Sequence, residues 1–411
     1  QLMDGVKEMF IARQPIFNRS KQVYGYELLY RNQEQDVAFR NTTAQASTAT
    51  VVGGLFELGI DRIVNGRNAF VNFDYDFLMS DTIELIAPEN LVIEVLETVR
   101  VDLPLIERLD YLKKRGYRIA LDDFEETVAD YPLIPLADII KFDILLTPLS
   151  SLKKEVKEAL VQGKYLLAEK IETEEEFNQA QEMGFHFFQG FFFSKPQIVG
   201  GVHQSQGSSL VFQKMIQELK TKEPSFQKLA QIVETDPTLA YRVMSVSGKA
   251  KLQTKTIKAA LAKMGLLEIE RWTRVLMMLE MGKNKPVELY RMALIRSRFG
   301  ELIAENSSMT NRIHTITLMC LFSLIDAMLD LSMEEALKQI EIDEDVYQAL
   351  VFQTGPLNPI LNVILCYERG TCDQLSEISK DLGIDVNSLK DWYFQSIQWA
   401  DQVMIQYQIE N

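Results

Sequence analysis

Two adjacent carboxylates, Asp122 and Asp123, end a run of strand-forming residues that begins at Tyr117. Consecutive side chains of a strand point to opposite faces, so the two carboxylates can share one site only where the strand is ending. Such a pair at the end of a buried strand is costly unless something balances its charge. It indicates a divalent-cation site, because oxygen ligands suit Mg²⁺ or Mn²⁺ better than zinc.

Strand-like segments alternate with helical spacers of crossover length through the first half of the chain. This alternation predicts an α/β fold, a (β/α) barrel of about eight parallel strands with an antiparallel start at the opening hairpin. Strands are predicted over residues 10–17, 22–30, 69–73, 91–96, 117–124, 138–143, 165–169 and 185–193, and helices over 43–58, 103–115, 152–161 and 174–183.

Polar residues stand at or near the ends of these predicted strands. In a (β/α) barrel the carboxyl ends of the strands converge on one mouth, so these side chains are candidates for a single site. Each carboxylate by itself could instead form an ordinary ion pair at a strand edge. Two cations held by carboxylates are the usual arrangement for in-line attack on a phosphodiester. The candidates are Glu27, Asn72, Glu94, Asp122, Asp123, Lys141, Glu169 and Gln189.

The second half of the chain has a helical pattern without convincing strand alternation. We therefore predict a barrel domain over residues 1–198, a linker over 199–208 and an all-helical domain over 209–411. Helices are predicted over 209–222, 225–234, 239–247, 256–263 and 267–281, with further segments to residue 407.

The composition restricts the class of protein. A net charge of −15 argues against binding to duplex nucleic acid, which requires a basic face. We find no apolar run long enough to span a membrane and no signal-peptide pattern, so we expect a cytoplasmic protein. The three cysteines lack CxxC spacing, and we expect them to be reduced.

Residues 9–198 resemble an EAL domain, the module that hydrolyses cyclic di-GMP to the linear dinucleotide. Leu28 replaces the alanine of the motif that names the family. Seven segments follow in the family order: Glu27–Arg31, Val71-Asn72, Ile93–Glu97, Leu121–Phe124, Ile140–Asp143, Ala168–Thr173 and Gln189–Pro196.

This resemblance implies a role for each matched residue. Asp123 would be shared with a second metal, and Lys141 would orient or deprotonate the attacking water. Arg31 would contact a phosphate of the ligand, as a guanidinium can do with two hydrogen bonds. The resemblance also implies Mg²⁺ or Mn²⁺ as cofactor and a homodimer. The first metal would be held by Glu27, Asn72, Glu94 and Asp122, and the second-metal and water network would be completed by Glu169, Glu172 and Gln189.

The segment after Phe124 departs from the family pattern. The EAL pattern continues with Gly-Thr-Gly, in a loop that helps to organise the second metal and the dimer contacts. This chain continues with Glu125, Glu126 and Thr127. Two further carboxylates beside a metal site could compete for the cation or repel phosphate.

Residues 209–411 resemble an HDOD domain, an all-helical relative of the HD phosphohydrolases. An HD metal site needs several histidines and a His-Asp pair. After residue 200 only His203 and His314 remain, and neither precedes an aspartate. We therefore expect a regulatory role, exerted through a protein partner, a signal or contact with the barrel. The resemblance lies in residues 232–239, 242–247, 257–265 and Arg271-Trp272.

Three hypotheses follow from the sequence. The leading one is metal-dependent hydrolysis of cyclic di-GMP to pGpG, regulated by the helical domain. The second is a catalytically degenerate sensor that binds cyclic di-GMP and signals through the helical domain. The third is a protein–protein scaffold with a vestigial barrel.

Overall fold

The computed structural model describes residues 9–32, 59–195, 209–235, 239–240, 243, 256–281, 285–338, 342–370 and 375–406. The predicted helix over 43–58 and the predicted linker over 199–208 lie outside these residues, as does most of the predicted helix over 239–247. The domain boundaries at 198 and 209 therefore stay predictions.

Eight strands close into a barrel in sequence order, which confirms the predicted architecture. The β1–β2 hairpin is antiparallel, β8 closes the barrel against β1 in the antiparallel sense, and the other neighbouring pairs are parallel. The strands are β1 (Met9–Asn18), β2 (Val23–Asn32), β3 (Asn68–Phe73), β4 (Leu91–Val95), β5 (Arg118–Leu121), β6 (Ile139–Asp143), β7 (Tyr165–Glu169) and β8 (Phe187–Gln189).

Helices around the barrel begin and end at residues suited to those positions. Asp102 accepts a hydrogen bond from the Leu105 amide, and Thr173 forms a capping box with Glu176. The helices are α1 (Ile60–Ile63), α2 (Tyr75–Met79), α3 (Leu103–Lys114), α4 (Lys153–Val161) and α5 (Glu174–Met183).

The last strand is shorter than the sequence predicted. We expected a strand over 185–193, but β8 ends at Gln189 and residues Phe192–Ser194 form a 3₁₀ turn. Gly190 causes the break. It has a φ of 147°, and a Cβ added there would lie 2.1 Å from the carbonyl oxygen of Ile171. Only glycine allows β8 to turn this close to the segment after β7.

A layer of apolar side chains fills the inside of the barrel. One member comes from each strand except β2, and Tyr24 of β2 packs against the layer. The buried members are Ile16, Phe70, Val92, Ala120, Ile139, Leu167 and Phe187. We call this layer the floor, because the polar residues of the barrel mouth lie directly above it.

The described part of the chain after residue 208 is helical and contains no strand, as predicted. None of the described helices is both long and apolar enough to cross a membrane. The helices are α6 (Ser209–Leu219), α7 (Phe226–Glu234), α8 (Ile257–Met264), α9 (Leu266–Met281), α10 (Val287–Glu305), α11 (Ile313–Phe322), α12 (Ile325–Leu329), α13 (Met333–Lys338), α14 (Glu344–Tyr347), α15 (Asn358–Arg369), α16 (Leu375–Asp381) and α17 (Ser388–Gln406).

One expectation about the cysteines was wrong. Cys320 is a buried free thiol, as expected, but Cys366 is disulfide-bonded. The missing CxxC spacing did not reveal this bond, because a disulfide depends on the distance between two cysteines in the fold.

The helical half packs against the first strand of the barrel. Both α15 and α17 contact β1, and Tyr26 of β2 hydrogen-bonds Glu288 of α10. A tight hairpin joins β1 to β2, so no crossover helix lies between them. The helical half covers this side of the barrel instead.

Candidate metal-binding and catalytic site

The inward-facing polar residues form a ring one layer above the apolar floor. Strand side chains alternate between faces, so the residue two positions closer to the mouth than each floor residue also points inward. On β1, which is antiparallel, this residue precedes the floor residue in the sequence. The strand pairing gives the same result, because Asn72 pairs with Glu94 and Gln14 pairs with Glu27. We call this set the ring: Gln14, Glu27, Asn72, Glu94, Asp122, Lys141, Glu169 and Gln189.

Lys141 lies at the centre of the ring and is completely buried. Its Nζ lies 2.6 Å from Glu94 Oε1, 2.6 Å from Asp122 Oδ1 and 2.8 Å from Glu169 Oε1. Glu27 Oε1 is 3.8 Å away. Four carboxylates thus surround one ammonium, so the cluster has an excess of acidic groups.

Amide side chains complete one side of the ring. Gln189 Nε2 donates to Glu27 Oε2 at 2.6 Å and contacts Gln14 Oε1 at 3.2 Å. Asn72 Nδ2 donates to Glu27 Oε1 at 3.3 Å. Both oxygens of Glu27 therefore accept a hydrogen bond from an amide, which fixes the plane of its carboxylate.

Gln14 belongs to the ring, although the sequence analysis did not select it. The predicted site residues stand at the carboxyl ends of strands, which is the correct end for parallel strands. Because β1 is antiparallel, it presents its amino-terminal part to the mouth. The opening hairpin already predicted this reversal, and combining it with the period-two alternation would have identified Gln14.

Several buried oxygens of the ring have no hydrogen-bond donor among the described residues. Although Glu94 Oε1 lies close to Lys141, the contact lacks hydrogen-bond geometry. Buried polar atoms are nearly always paired, so this set indicates a missing partner of positive charge. Carboxylate and amide oxygens are the ligands of hard divalent cations, and the residues fit such an ion. The oxygens are Asn72 Oδ1, both carboxylate oxygens of Glu94, Glu169 Oε2 and Gln189 Oε1.

The crowding of acidic groups shifts their proton affinities. Burial raises the pKa of Glu94 and of Glu169 well above the usual range, and the neighbouring Glu27 and Asp122 add to this rise. Lys141 opposes the rise in both. Burial alone would lower the pKa of Lys141, but the surrounding carboxylates outweigh it and raise that pKa. The ammonium therefore stays charged, and a bound cation would favour the ionised carboxylates.

Asp123 lies beside the ring in a group of three carboxylates. One oxygen from each of Glu97, Asp122 and Asp123 lies within 4.8 Å of the others, close enough to hold one cation. Asp123 has a φ of 41°, in the left-handed region, and this turn brings both aspartates to one side. Burial and the adjacent Asp122 raise the pKa of Asp123 to about 6.

Glu97 had no predicted role, although it stands in a matched segment three residues after Glu94. It lies just beyond β4 and is exposed. The shared Asp122 joins this second group of carboxylates to the ring. The arrangement offers two adjacent places for a divalent cation.

Besides Asp123, two further predicted site residues, Glu172 and Arg31, are not members of the ring. The Glu172 carboxylate pairs with Lys195 at 2.8 Å, and both side chains are about half exposed. The Glu172 amide donates to Glu176 at the start of α5. Arg31 lies on β2, but its side chain is outside the described residues.

The unusual segment after Phe124 is anchored away from the ring. The Phe124 amide donates to the Lys141 carbonyl at 3.0 Å, and the Val128 amide donates to Glu155 Oε2 at 2.8 Å. Val128 is buried, whereas Glu125 and Glu126 are exposed. The carboxylate group that could hold a metal contains Glu97, Asp122 and Asp123, and neither Glu125 nor Glu126 belongs to it.

Comparisons with known proteins show the family to which the chain belongs. The chain is 32% identical over 409 residues to the uncharacterized protein YuxH of Bacillus subtilis (strain 168), and the match covers 96% of this chain and 99% of that protein. The chain belongs to the YuxH family. The model of the EAL domain matches residues 76–196, so the chain contains an EAL domain. That match includes the ring members from Glu94 to Gln189.

A second relative has a descriptive name. The chain is 29% identical over 407 residues to the cyclic di-GMP phosphodiesterase CdgJ of Vibrio cholerae serotype O1, covering 97% of this chain and 94% of that protein. Among solved structures, the B. subtilis YkuI protein, with an EAL domain and in complex with cyclic di-GMP and calcium, is 21% identical. That match covers 62% of this chain and 71% of YkuI with a TM-score of 0.39, too low to support an argument.

Proposed function

We propose that the barrel hydrolyses cyclic di-GMP to linear pGpG in the presence of a divalent cation. The observation that carries this proposal is the ring, in which four carboxylates surround one ammonium and several buried oxygens have no donor among the described residues. The EAL domain and the name of the relative CdgJ support the choice of substrate.

Divalent cations would be held by the oxygen-bearing residues of the mouth. Mg²⁺ and Mn²⁺ suit these oxygen ligands. Such ions stabilise the charge that develops on a phosphate and lower the pKa of water. The residues proposed to hold them are Glu27, Asn72, Glu94, Asp122 and Asp123, together with Glu97.

Lys141 would act on the substrate through its charge. Its ammonium is held by three carboxylates at 2.8 Å or less and cannot swing away from the ring. A fixed positive charge in a water-poor site stabilises negative charge developing on the phosphate without reorganisation. We propose that Lys141 also orients the attacking water, whose proton would pass to Glu169 in its ionised form.

Gln189 would act as a positioning residue through its bond to Glu27. Arg31 remains our candidate for contact with a substrate phosphate. Glu172 remains a proposed member of the water network, although its present partner is Lys195.

We further propose that the helical half is a regulatory HDOD domain. Its contacts with β1 and with Tyr26 give it access to the barrel wall behind the ring. The protein partner, the homodimer and the cytoplasmic location expected from the sequence stay predictions.

The test is incubation of the purified protein with cyclic di-GMP and Mg²⁺ or Mn²⁺, followed by chromatography of the nucleotides. We expect pGpG to appear, and EDTA to abolish it. Asp122→Asn should remove activity, whereas Asp130→Asn, at an exposed acid eight residues further on, should retain it. Intact substrate under all conditions would contradict the proposed hydrolysis.

The second candidate function is sensing of cyclic di-GMP without hydrolysis. It is favoured by the segment after Phe124, which reads Glu125-Glu126-Thr127 where the EAL pattern has Gly-Thr-Gly. Calorimetry on the same sample distinguishes the two functions. Binding of cyclic di-GMP without product would assign the sensor, and the absence of both would leave the scaffold.

A further inference from the structure

The contact between the two halves of the chain reaches the strand that carries Glu27. Tyr26 precedes Glu27 on β2, so its side chain points out of the barrel while Glu27 points into the ring. The Tyr26 side chain is completely buried. The helical half supplies its hydrogen-bond partners.

A compact polar cluster surrounds the Tyr26 hydroxyl. It donates to Glu288 Oε2 at 3.0 Å and accepts from Arg291 Nη1 at 3.3 Å. The same Arg291 nitrogen donates to Glu288 Oε2 at 2.7 Å, and Arg291 Nε lies 2.9 Å from Asp401 of α17. The Arg13 guanidinium lies 4.2 Å from the centre of the Tyr26 ring. We call Tyr26, Glu288, Arg291 and Asp401 the clamp.

The clamp joins one strand and two helices that are distant in sequence. Glu288 and Arg291 are one turn apart on α10, Asp401 comes from α17, and Tyr26 is more than 250 residues earlier on β2. All four residues are buried. Tyr26, Glu288 and Arg291 depend on one another for hydrogen bonds, and Asp401 forms an ion pair with Arg291. Displacement of α10 would therefore leave a buried polar group unsatisfied.

Packing beside the clamp is incomplete. A cavity of about 40 Å³ lies between β1, the end of β8 and the helices α10, α15 and α17. Its wall includes Gln14 and Gln189 of the ring on one side, and Glu288, Met292 and Tyr393 of the helical half on the other. Packing between β1 and the helices is therefore incomplete at this point. The clamp adds directional contacts between β2 and α10.

A shift of Tyr26 would be transmitted to the ring. The backbone of β2 connects Tyr26 directly to Glu27, whose carboxylate bonds Gln189 at 2.6 Å and Asn72 at 3.3 Å. Metal ligands that act together must keep their positions within about 0.5 Å. Loss of the clamp should therefore weaken cation binding.

We propose that Tyr26 is a positioning residue for Glu27, and that α10 of the helical half sets the cation affinity of the barrel site through it. This inference rests on the proposed function, in which Glu27 holds a divalent cation. It provides a physical route for regulation. Because coupling between two sites is reciprocal, cation binding would also favour the position of α10 in which Glu288 bonds the Tyr26 hydroxyl.

The main variants are Tyr26→Phe, which removes only the hydroxyl, and Glu288→Gln, which removes the charge opposite Arg291. Glu301→Gln is a matched control, because Glu301 is also buried on α10 and pairs with Arg271 at 2.7 Å, within the helical half. The full-length proteins are titrated with Mn²⁺ by calorimetry, and thermal unfolding is recorded without cation.

Both clamp variants should bind Mn²⁺ at least about 10-fold more weakly, because changes to residues that support metal ligands typically lower metal affinity by about 10–100-fold. The double variant should be no weaker than the weaker single variant, because both changes act through one contact. The control should lower Tm without changing Mn²⁺ affinity. Using two clamp variants keeps the test decisive if one fails to fold.

A Mn²⁺ affinity unchanged in the clamp variants, with a lowered Tm as in Glu301→Gln, would show that the clamp is merely structural and would overturn this inference alone. Wild-type protein that binds no Mn²⁺ would overturn the proposed function and this inference together.

Discussion

Buried acidic groups are treated differently in the two halves of the molecule. In the helical half, Glu368 accepts three contacts from the Arg296 guanidinium at 2.7–3.0 Å, and Glu301 pairs with Arg271 at 2.7 Å. Each of these acids pairs with at least one arginine, and Glu301 also lies 2.8 Å from Arg298. In the ring of the barrel, four carboxylates share Lys141, and several oxygens have no donor among the described residues.

This difference separates a structural use of charge from a functional one. A matched Arg–Glu pair satisfies both partners and leaves nothing for a ligand to bind. An excess of carboxylates destabilises the empty site and favours the bound state when a cation arrives. The comparison predicts opposite outcomes for similar substitutions in the two halves.

The largest effect is expected in the ring. Glu94→Gln should reduce cation-dependent turnover at least about 100-fold, because it removes a proposed metal ligand. Its Tm without cation should stay at or above that of the wild type, because burial raises the pKa of Glu94 and favours the neutral form already. Chromatography of pGpG and thermal unfolding measure the two effects, and a large fall in Tm would contradict the comparison.

The corresponding change in the helical half should give the opposite result. Glu301→Gln should cost up to about 3–5 kcal/mol of unfolding free energy, because the buried Arg271 then keeps only Glu268, 3.2 Å away, as its counter-charge among the described residues. Turnover per folded molecule should be unchanged. Urea denaturation measures the stability, and a loss below about 1 kcal/mol would show that this pair resembles a surface ion pair.

Cation binding should stabilise the barrel. Mn²⁺ at 100 times its Kd should add about 2.7 kcal/mol to the free energy of unfolding, because it binds the folded state. Glu94→Gln should lose most of this gain and Glu301→Gln should keep it. Thermal unfolding with and without Mn²⁺ gives the comparison, and equal gains in both variants would place the cation outside the ring.

The smallest effect is expected in the segment after Phe124. Glu125→Ala and Glu126→Ala should each change stability by no more than about 0.5 kcal/mol, because both side chains are exposed. If neither carboxylate competes for the cation, turnover should stay within about 3-fold of the wild type. This limit corresponds to less than about 1 kcal/mol of activation free energy, because a factor of 10 in rate corresponds to about 1.4 kcal/mol. A several-fold increase would show that these residues restrain the enzyme.

Much of this protein was determined by local patterns in the sequence. The alternation of strands and helices predicted the barrel, and the helix predicted over 174–183 matches α5. The polar residues at strand ends supplied seven of the eight ring members, because alternation along a strand and convergence at the mouth need only local information.

The tertiary structure decided what depends on contacts between distant residues. Gln14 joins the ring because β1 runs antiparallel and pairs in register with Glu27. Glu172 lies outside the ring and pairs with Lys195, which follows the 3₁₀ turn after β8. The clamp on Tyr26 exists because the helical half covers the hairpin that lacks a crossover helix. Strand register and packing between the halves are set by the sum of many long-range contacts, and no single segment of the sequence encodes them.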